Sequence, residues 1–281
     1  MATKALFNTV VNWFIRQRMD QIQQFMNHPI ETQNGVLFSQ LYHAENTDYG
    51  KIHGFSSISS YDDFRRNVPI VTYEDFEPYI EKARQGNPDV FWPGYIRKFA
   101  KSSGTTNAKS KFIPISEECL EDCHFKAGKD LLSIYANNHP ENSLFSNKNL
   151  RLGGSSELYE DFNTKFGDLS AIMIENLPFW VEITTTPSKK VSLMSEWESK
   201  LKAIVSEVKN EDVGSITGVP SWMMVLLQRT LAETGKENIA ELWPNIEVFF
   251  HGGISFKPYK DQYRKLIGKD INYYEIYNAS E

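Results

Sequence analysis

A layered α/β fold, with a mostly parallel sheet flanked by helices, follows from three observations. Through the second half of the chain, short strand-like apolar runs alternate with segments of helical apolar spacing. Capping residues, prolines and glycines mark where those helices begin and stop. Three of the strand-like runs open into loops of small residues, the arrangement expected where parallel strands end beside a ligand.

From the N-terminus, Phe7, Val10, Val11, Phe14, Ile22, Phe25 and Met26 recur at helical spacing and predict one long amphipathic helix ending before Pro29. A second helix carries Leu37 and Leu41. Ser60 with Asp63, and Thr72 with Asp75, have the spacing of capping boxes. The second pair opens a helix stopped by Gly86, with Pro78 delaying its start. Ser116 caps a helix with Glu117 and Glu118 in its first turn, where the dipole favours anions. Leu120, Cys123, Ala127, Leu131 and Ile134 are its expected inner face. Ser195 and Glu198 form a capping box for a helix carrying Trp197, Leu201, Ile204, Val205 and Val208. A further helix starts near Pro220 and ends at Gly235. Strands are expected at residues 95–100, 112–115, 169–174, 181–184, 246–250 and 271–277. Residues 137–149, rich in Asn, Ser and Pro, read as a mobile surface loop.

Composition narrows the function classes. With 281 residues, 41% of them hydrophobic, the chain can bury a large core. A net charge of −6 and the lack of an arginine cluster argue against nucleic-acid binding. No apolar run is long enough to span a bilayer, and the first residues lack the pattern of a secretory signal. A soluble, cytoplasmic protein without membrane partners is expected. Cys119 and Cys123, four residues apart beside His124, lack further ligands at metal spacing and read as core cysteines.

The most informative stretch runs from Lys101 to Pro114. Ser102, Ser103, Gly104, Thr105 and Thr106 lie between two strand-like runs, with Lys101, Lys109 and Lys111 around them. Hydroxyls, accessible backbone N–H groups and ammonium groups can surround a polyphosphate. The spacing is not that of a Walker loop, and a Ser/Thr-rich turn accounts for it equally well. The second small-residue loop is His251-Gly252-Gly253, where a flat ring could approach the backbone closely. The third is Asn278-Ala279-Ser280-Glu281, preceded by Tyr277. Tyr277 can stack on a ring, and the Glu281 carboxylate can hold Mg2+ beside phosphate oxygens. Taken singly, these residues are also a turn, a strand aromatic and a solvated acid.

The combination resembles the acyl acid–amido synthetase family, known from auxin-responsive plant proteins and also present in bacteria, here a bacterial-type member, within the adenylate-forming superfamily of acyl-CoA synthetases and luciferases. Ser102-Ser103-Gly104-Thr105-Thr106, followed by Lys111 and Ile113-Pro114, is similar to the family's first nucleotide motif. Tyr277-Asn278-Ala279-Ser280-Glu281 is similar to the second. The stretches at residues 68–75, 218–223 and 242–245 strengthen the likeness.

The resemblance implies the large N-terminal domain of an adenylate-forming enzyme, with ATP and Mg2+ as cofactors. Such an enzyme activates a carboxylic acid as its adenylate, and an amine or amino acid then displaces AMP. By the same resemblance Ser102 to Thr106 hold the β- and γ-phosphates and Lys111 adds positive charge. Gly252 and Gly253 line the adenine pocket, Tyr277 and Ala279 contact adenine, and Ser280 meets the α-phosphate. Asn278 belongs to the same motif, and Glu281 ligates Mg2+. Trp222, Met223 and Val225 are the candidate acyl-pocket wall, with plain core as the equal alternative. No catalytic residue is singled out.

The family pattern continues past residue 281 with a small mobile domain. Residues 1–281 are therefore expected to be a partial nucleotide- and acyl-binding domain, inactive without the missing C-terminal portion. Two alternatives stand beside this reading. One is an adenylating enzyme that passes its acyl group to a thiol such as coenzyme A. The other is a degenerate, non-catalytic binding protein, which Ala108 supports because the family motif usually has Gly there.

Overall fold

The computed structural model describes residues 2–102, 110–154, 158–277 and 279–280, with side chains from residue 8 onward. The chain divides into two compact units. The first comprises Met1–Arg16, Tyr135–Glu157 and Ser170–Ala279; the second comprises Gln17–Ile134, Leu158–Leu169 and Ser280–Glu281. In chain order the strands are β1 (Lys98–Lys101), β2 (Phe112–Ile115), β3 (Lys148–Leu152), β4 (Leu158–Asp161), β5 (Thr164–Gly167), β6 (Thr185–Thr186), β7 (Val213–Gly218), β8 (Val248–Gly252) and β9 (Asn272–Ile276).

The first unit is built on a wholly parallel sheet of order β6-β3-β7-β8-β9. Ranked by position in the chain, this is the doubly wound order 2-1-3-4-5. One sheet face presents Leu150, Leu152, Ile216 and Phe249 to a core completed by three helices. Trp197–Val208 contributes Leu201, Ile204 and Val208, Pro220–Thr234 contributes Met223, Leu226 and Leu227, and Lys260–Ile267 contributes Tyr263 and Ile267. On the opposite face Tyr135 meets Phe250 and Tyr274 edge-on. Both faces are therefore covered, as parallel sheets require.

The second unit carries a mixed sheet of order β2-β1-β5-β4, in which only β1 and β5 run parallel. Phe99 and Ile96 pack there against Ile80, Ala83 and Val90. The helix Tyr73–Arg84 opens on the expected capping box, Thr72 with Asp75. Pro78 sits inside this helix and does not delay its start.

Several sequence expectations give way to tertiary context. The runs at 169–174 and 181–184, expected as strands, are the helices Leu169–Glu175 and Phe179–Thr184. Short apolar runs carry no period that separates a buried strand from a buried helix turn. Ala171, Ile172 and Ile174 are all buried. Pro178 opens the second helix, its carbonyl accepting from the N–H groups of Val181 and Glu182.

The expected mobile loop at 137–149 is instead packed, and its end enters β3, an interior strand of the sheet. Ser143 donates to the Glu247 carboxylate from both its N–H and its hydroxyl, at 2.9 and 2.8 Å. The Asn142 amide reaches Asn12 at 3.2 Å. Strand β7 escaped notice because Gly214, Ser215, Thr217 and Gly218 dilute its apolar signal. Two of those glycines are required by close neighbours: a Cβ at Gly214 would lie 2.7 Å from the Asn147 Cβ, and one at Gly218 would lie 2.9 Å from the Leu152 carbonyl oxygen.

Of the expected inner stripe, Leu120 is buried and Leu131 half-buried, but Cys123, Ala127 and Ile134 are exposed, while Phe125, Ser133 and Tyr135 are buried. Residues Cys119–Phe125 form a π-helix, whose wider turn shifts the stripe by about one position. Cys123 is therefore not a core cysteine. The long N-terminal helix divides into Ala2–Arg16 and Arg18–Asn27, and Val10, Phe14, Phe25 and Met26 are exposed. Glu196, not Ser195, caps Trp197–Val208: its carboxylate accepts from the N–H groups of Glu198 and Ser199 at 2.9 and 2.7 Å. An anion at the positive end of a helix outcompetes a neutral hydroxyl.

Candidate functional site

The carboxyl edge of the parallel sheet gathers the ends of β3, β7, β8 and β9. Register aligns Leu152 with Gly218, Gly218 with His251, His251 with Glu275, and Gly252 with Ile276. In this strand order the chain switches direction between β3 and β7, and ligands of doubly wound sheets lie outside that switch point. The edge is made of small residues: Gly153 and Gly154 follow β3, Gly218 ends β7, and Gly252 and Gly253 end β8.

Each glycine of the Gly252-Gly253 pair has its own cause. A Cβ on Gly252 would strike the Ile276 carbonyl oxygen of the neighbouring strand. Gly253 adopts φ 81°, a left-handed conformation, with Val219 beside it. The pair thus caps the sheet while leaving a backbone surface open to solvent. Tyr277, one residue past β9, is 91% exposed and free of the strand core, so its ring is available to stack on a flat ligand. Gly252, Gly253 and Tyr277 therefore lie at the ends of adjacent strands of one unit. Ala279 is half-buried in that unit, and Ser280, also half-buried, is grouped with the second. Asn278 and Glu281 lie outside the described residues.

The first motif occupies a different setting. Register pairs Lys101 with Phe112, and the Ser102 N–H donates to the Lys111 carbonyl at 3.0 Å. The strands on either side of the motif, β1 and β2, pair antiparallel in the second unit and not in the parallel sheet. Ser103, Gly104, Thr105 and Thr106 lie outside the described residues, as do Ala108 and Lys109. Lys111 immediately precedes β2, its ammonium 5.4 Å from the centre of the Tyr73 ring. The Tyr73 hydroxyl accepts from the Phe112 N–H at 2.9 Å, which locks the same corner.

The proposed acyl wall divides. Met223 is wholly buried in the sheet-facing core, with its Cε 3.3 Å from where a Gly218 Cβ would stand. Trp222 and Val225 are on the exposed side of the same helix, and Trp222 meets Trp197 edge-on.

Sequence reading named His251 within the second loop but gave it no role. It is buried at the end of β8, stacked on Phe256 at 4.2 Å, and its Nδ1 has no hydrogen-bond partner. Burial pushes its pKa down, against a smaller upward pull from the Glu275 carboxylate. An imidazole whose charged form is disfavoured by burial therefore immediately precedes the glycine pair. The available signal was a histidine closing an otherwise apolar strand. Among the described residues there is no group of His, Cys, Asp and Glu arranged to hold a metal, and no helix is long and apolar enough to cross a membrane.

Residues 18–271 match the GH3 family N-terminal domain. The chain is 37% identical over 76 residues to jasmonoyl–L-amino acid synthetase JAR6 of Nicotiana attenuata, a stretch covering 27% of this chain and 13% of that protein. It is 32% identical over 101 residues to indole-3-acetic acid-amido synthetase GH3.2 of Arabidopsis thaliana, covering 36% of this chain and 18% of the relative. In three dimensions it is similar to the GH3.15 acyl acid amido synthetase, with a TM-score of 0.72 at 13% identity, over 94% of this chain and 56% of that one. A lesser likeness, TM-score 0.52 at 14% identity, links it to an open conformation of 2-hydroxyisobutyryl-CoA ligase in complex with 2-HIB-AMP and CoA, over 88% of this chain and 52% of that one. The chain thus spans about half the length of these solved proteins, and both likenesses concern the fold.

Proposed function

The chain belongs to the GH3 family, and on that premise we propose that its gene product adenylates a carboxylic acid with ATP and then joins the acyl group to an amine, usually that of an amino acid. The observation that carries this reading is the exposed Tyr277 ring beside the Gly252-Gly253 turn on the carboxyl edge of a doubly wound sheet. That surface fits an adenine: one aromatic face, and a backbone on which no side chain stands.

In this proposal Tyr277 and Ala279 contact the base, with Asn278 in the same turn. Gly252 and Gly253 lie along the base, and Ser280 meets the α-phosphate. Ser102 to Thr106, between β1 and β2 in the sequence, hold the β- and γ-phosphates, and Lys111 supplies positive charge. Glu281 is the ligand for Mg2+, which would offset phosphate charge when bound. Trp222 and Val225 remain candidates for acyl contact because they are exposed; Met223 acts from beneath by packing.

The chemistry follows from leaving groups. A carboxylate oxygen attacks the α-phosphorus, and pyrophosphate leaves. The amine nitrogen then attacks the activated carbonyl, AMP leaves with the bonding pair, and the nitrogen loses a proton. The protein's contribution is to place reactants in line and meet developing charge with fixed donors. Its two free cysteines are in keeping with a cytoplasmic location.

The test is ATP–pyrophosphate exchange by the gene product over a broad panel of carboxylic acids, followed by product analysis with amino acids and with coenzyme A. Exchange with at least one acid is expected. Tyr277→Ala should raise the KM for ATP about 3- to 10-fold, the worth of one stacking contact. Folded protein that exchanges with no acid would favour a non-catalytic binding protein. Transfer to coenzyme A alone would replace the amide product by a thioester.

A further inference from the structure

The face of the parallel sheet opposite the main core carries a polar lane at the switch point. Register sets Asn149 beside Ser215 and Arg151 beside Thr217 across β3 and β7. Alternation along the strands sends Leu150, Leu152 and Ile216 to the other face, into the core. The Asn149 amide donates to the Ser215 hydroxyl at 2.9 Å and to the Thr217 hydroxyl at 3.0 Å. Both hydroxyl oxygens are engaged as acceptors, so their hydrogens are left to donate elsewhere.

Arg151 is the anomaly in this lane. Its Nε is buried and has no hydrogen-bond partner. Among the described residues its guanidinium forms no ion pair; Glu182 acts on it only from beyond ion-pair contact. Burial pushes its pKa down to about 10, partly countered by Glu182. Arg151 as a whole is half-buried, but a donor buried without an acceptor, as its Nε is, is costly. The lane offers donors from Arg151 and Thr217 beyond those its own hydrogen bonds use. A planar fork with hydroxyls beside it is the chemistry that recognises a carboxylate.

We propose that Arg151, with Thr217 and the Asn149–Ser215 pair beside it, is a carboxylate subsite that selects an acid substrate bearing a second carboxyl group. The proposal rests on the adenylating function above and names its substrate class: dicarboxylic acids, activated at one end and anchored by the other. Arg151 is then a specificity residue rather than a catalytic one.

The experiment measures exchange by the full gene product with acids paired by skeleton, such as butyrate with succinate, hexanoate with adipate, and benzoate with terephthalate. The dicarboxylic member of at least one pair should be preferred in kcat/KM, with the difference in KM. Arg151→Met should lower that preference about 10- to 100-fold, the worth of a charge-assisted pair. Arg151→Lys should recover part of it, and Thr217→Val should reduce it several-fold. Arg151→Met should also raise Tm, because a buried donor without an acceptor is removed; an arginine with a merely structural role would lower it.

Preference for the monocarboxylic member in every pair, or an unchanged ratio in both Arg151→Met and Thr217→Val, overturns the proposal. If Arg151→Met does not fold, Thr217→Val decides. If no acid supports exchange, titration calorimetry with succinate, adipate and terephthalate separates the two readings. Binding weakened at least tenfold by the variants upholds the subsite while the adenylating function fails; equal or absent binding overturns the subsite as well.

Discussion

Burial holds the His251 imidazole below its ordinary pKa, with the Glu275 carboxylate pulling the other way. In the unfolded chain the same side chain titrates near pH 6.5. Below that value the unfolded state binds the proton more readily than the folded state does. His251 therefore adds stability that is present above about pH 6.5 and is lost as pH falls through its lowered folded value. Tm should drop between about pH 7 and pH 5, and His251→Gln should flatten that slope. The flattening should be partial, because burial also depresses His124. An unchanged slope in His251→Gln would remove His251 as a source. The glycine pair makes a second residue-scale prediction. Gly252→Ala forces a methyl against the Ile276 carbonyl and should cost about 1–3 kcal/mol. Gly253→Ala is penalised by conformation instead, by about 1–2 kcal/mol. Thermal melts of the two variants check both figures.

At the scale of elements, the helix Pro220–Thr234 separates packing from binding. Met223→Ala should cost about 2–5 kcal/mol, because the side chain is wholly buried between helix and sheet. Trp222→Ala and Val225→Ala should cost far less and, if these residues touch the acid, should raise its KM with kcat little changed. Denaturant titration and exchange kinetics on the same three variants test this division. The ends of that helix were legible from Pro220 and Gly235 because both act through local backbone chemistry. The same holds for the Thr72–Asp75 box. The stripe after Ser116 was not legible, since a π turn keeps the residue types and changes only the period. Strands β3 and β7 were hidden for a related reason: their polar and glycine positions answer to neighbouring strands, not to their own sequence.

At the scale of the molecule, two kinds of site information behave differently. A nucleotide that binds the folded chain should raise Tm in proportion to its concentration over its Kd. ATP and AMP should each do so, and Tyr277→Ala should shrink the shift; equal shifts in both proteins would move the base away from Tyr277. The two nucleotide motifs and Tyr277 were readable as residue strings, and the resemblance they carried is upheld by the family match over residues 18–271. By itself the sequence determined the α/β class, the helix ends at Thr72, Pro220 and Gly235, the family and the residues at which nucleotide contact is proposed. Each of these depends on side-chain identity or on interactions within a few residues. Only the tertiary structure decided the 2-1-3-4-5 strand order, the interior place of β3, the burial of His251 and the unpartnered Nε of Arg151. Those depend on which distant residues become neighbours across a sheet, and pairing between parallel strands is set by the packing of both faces together.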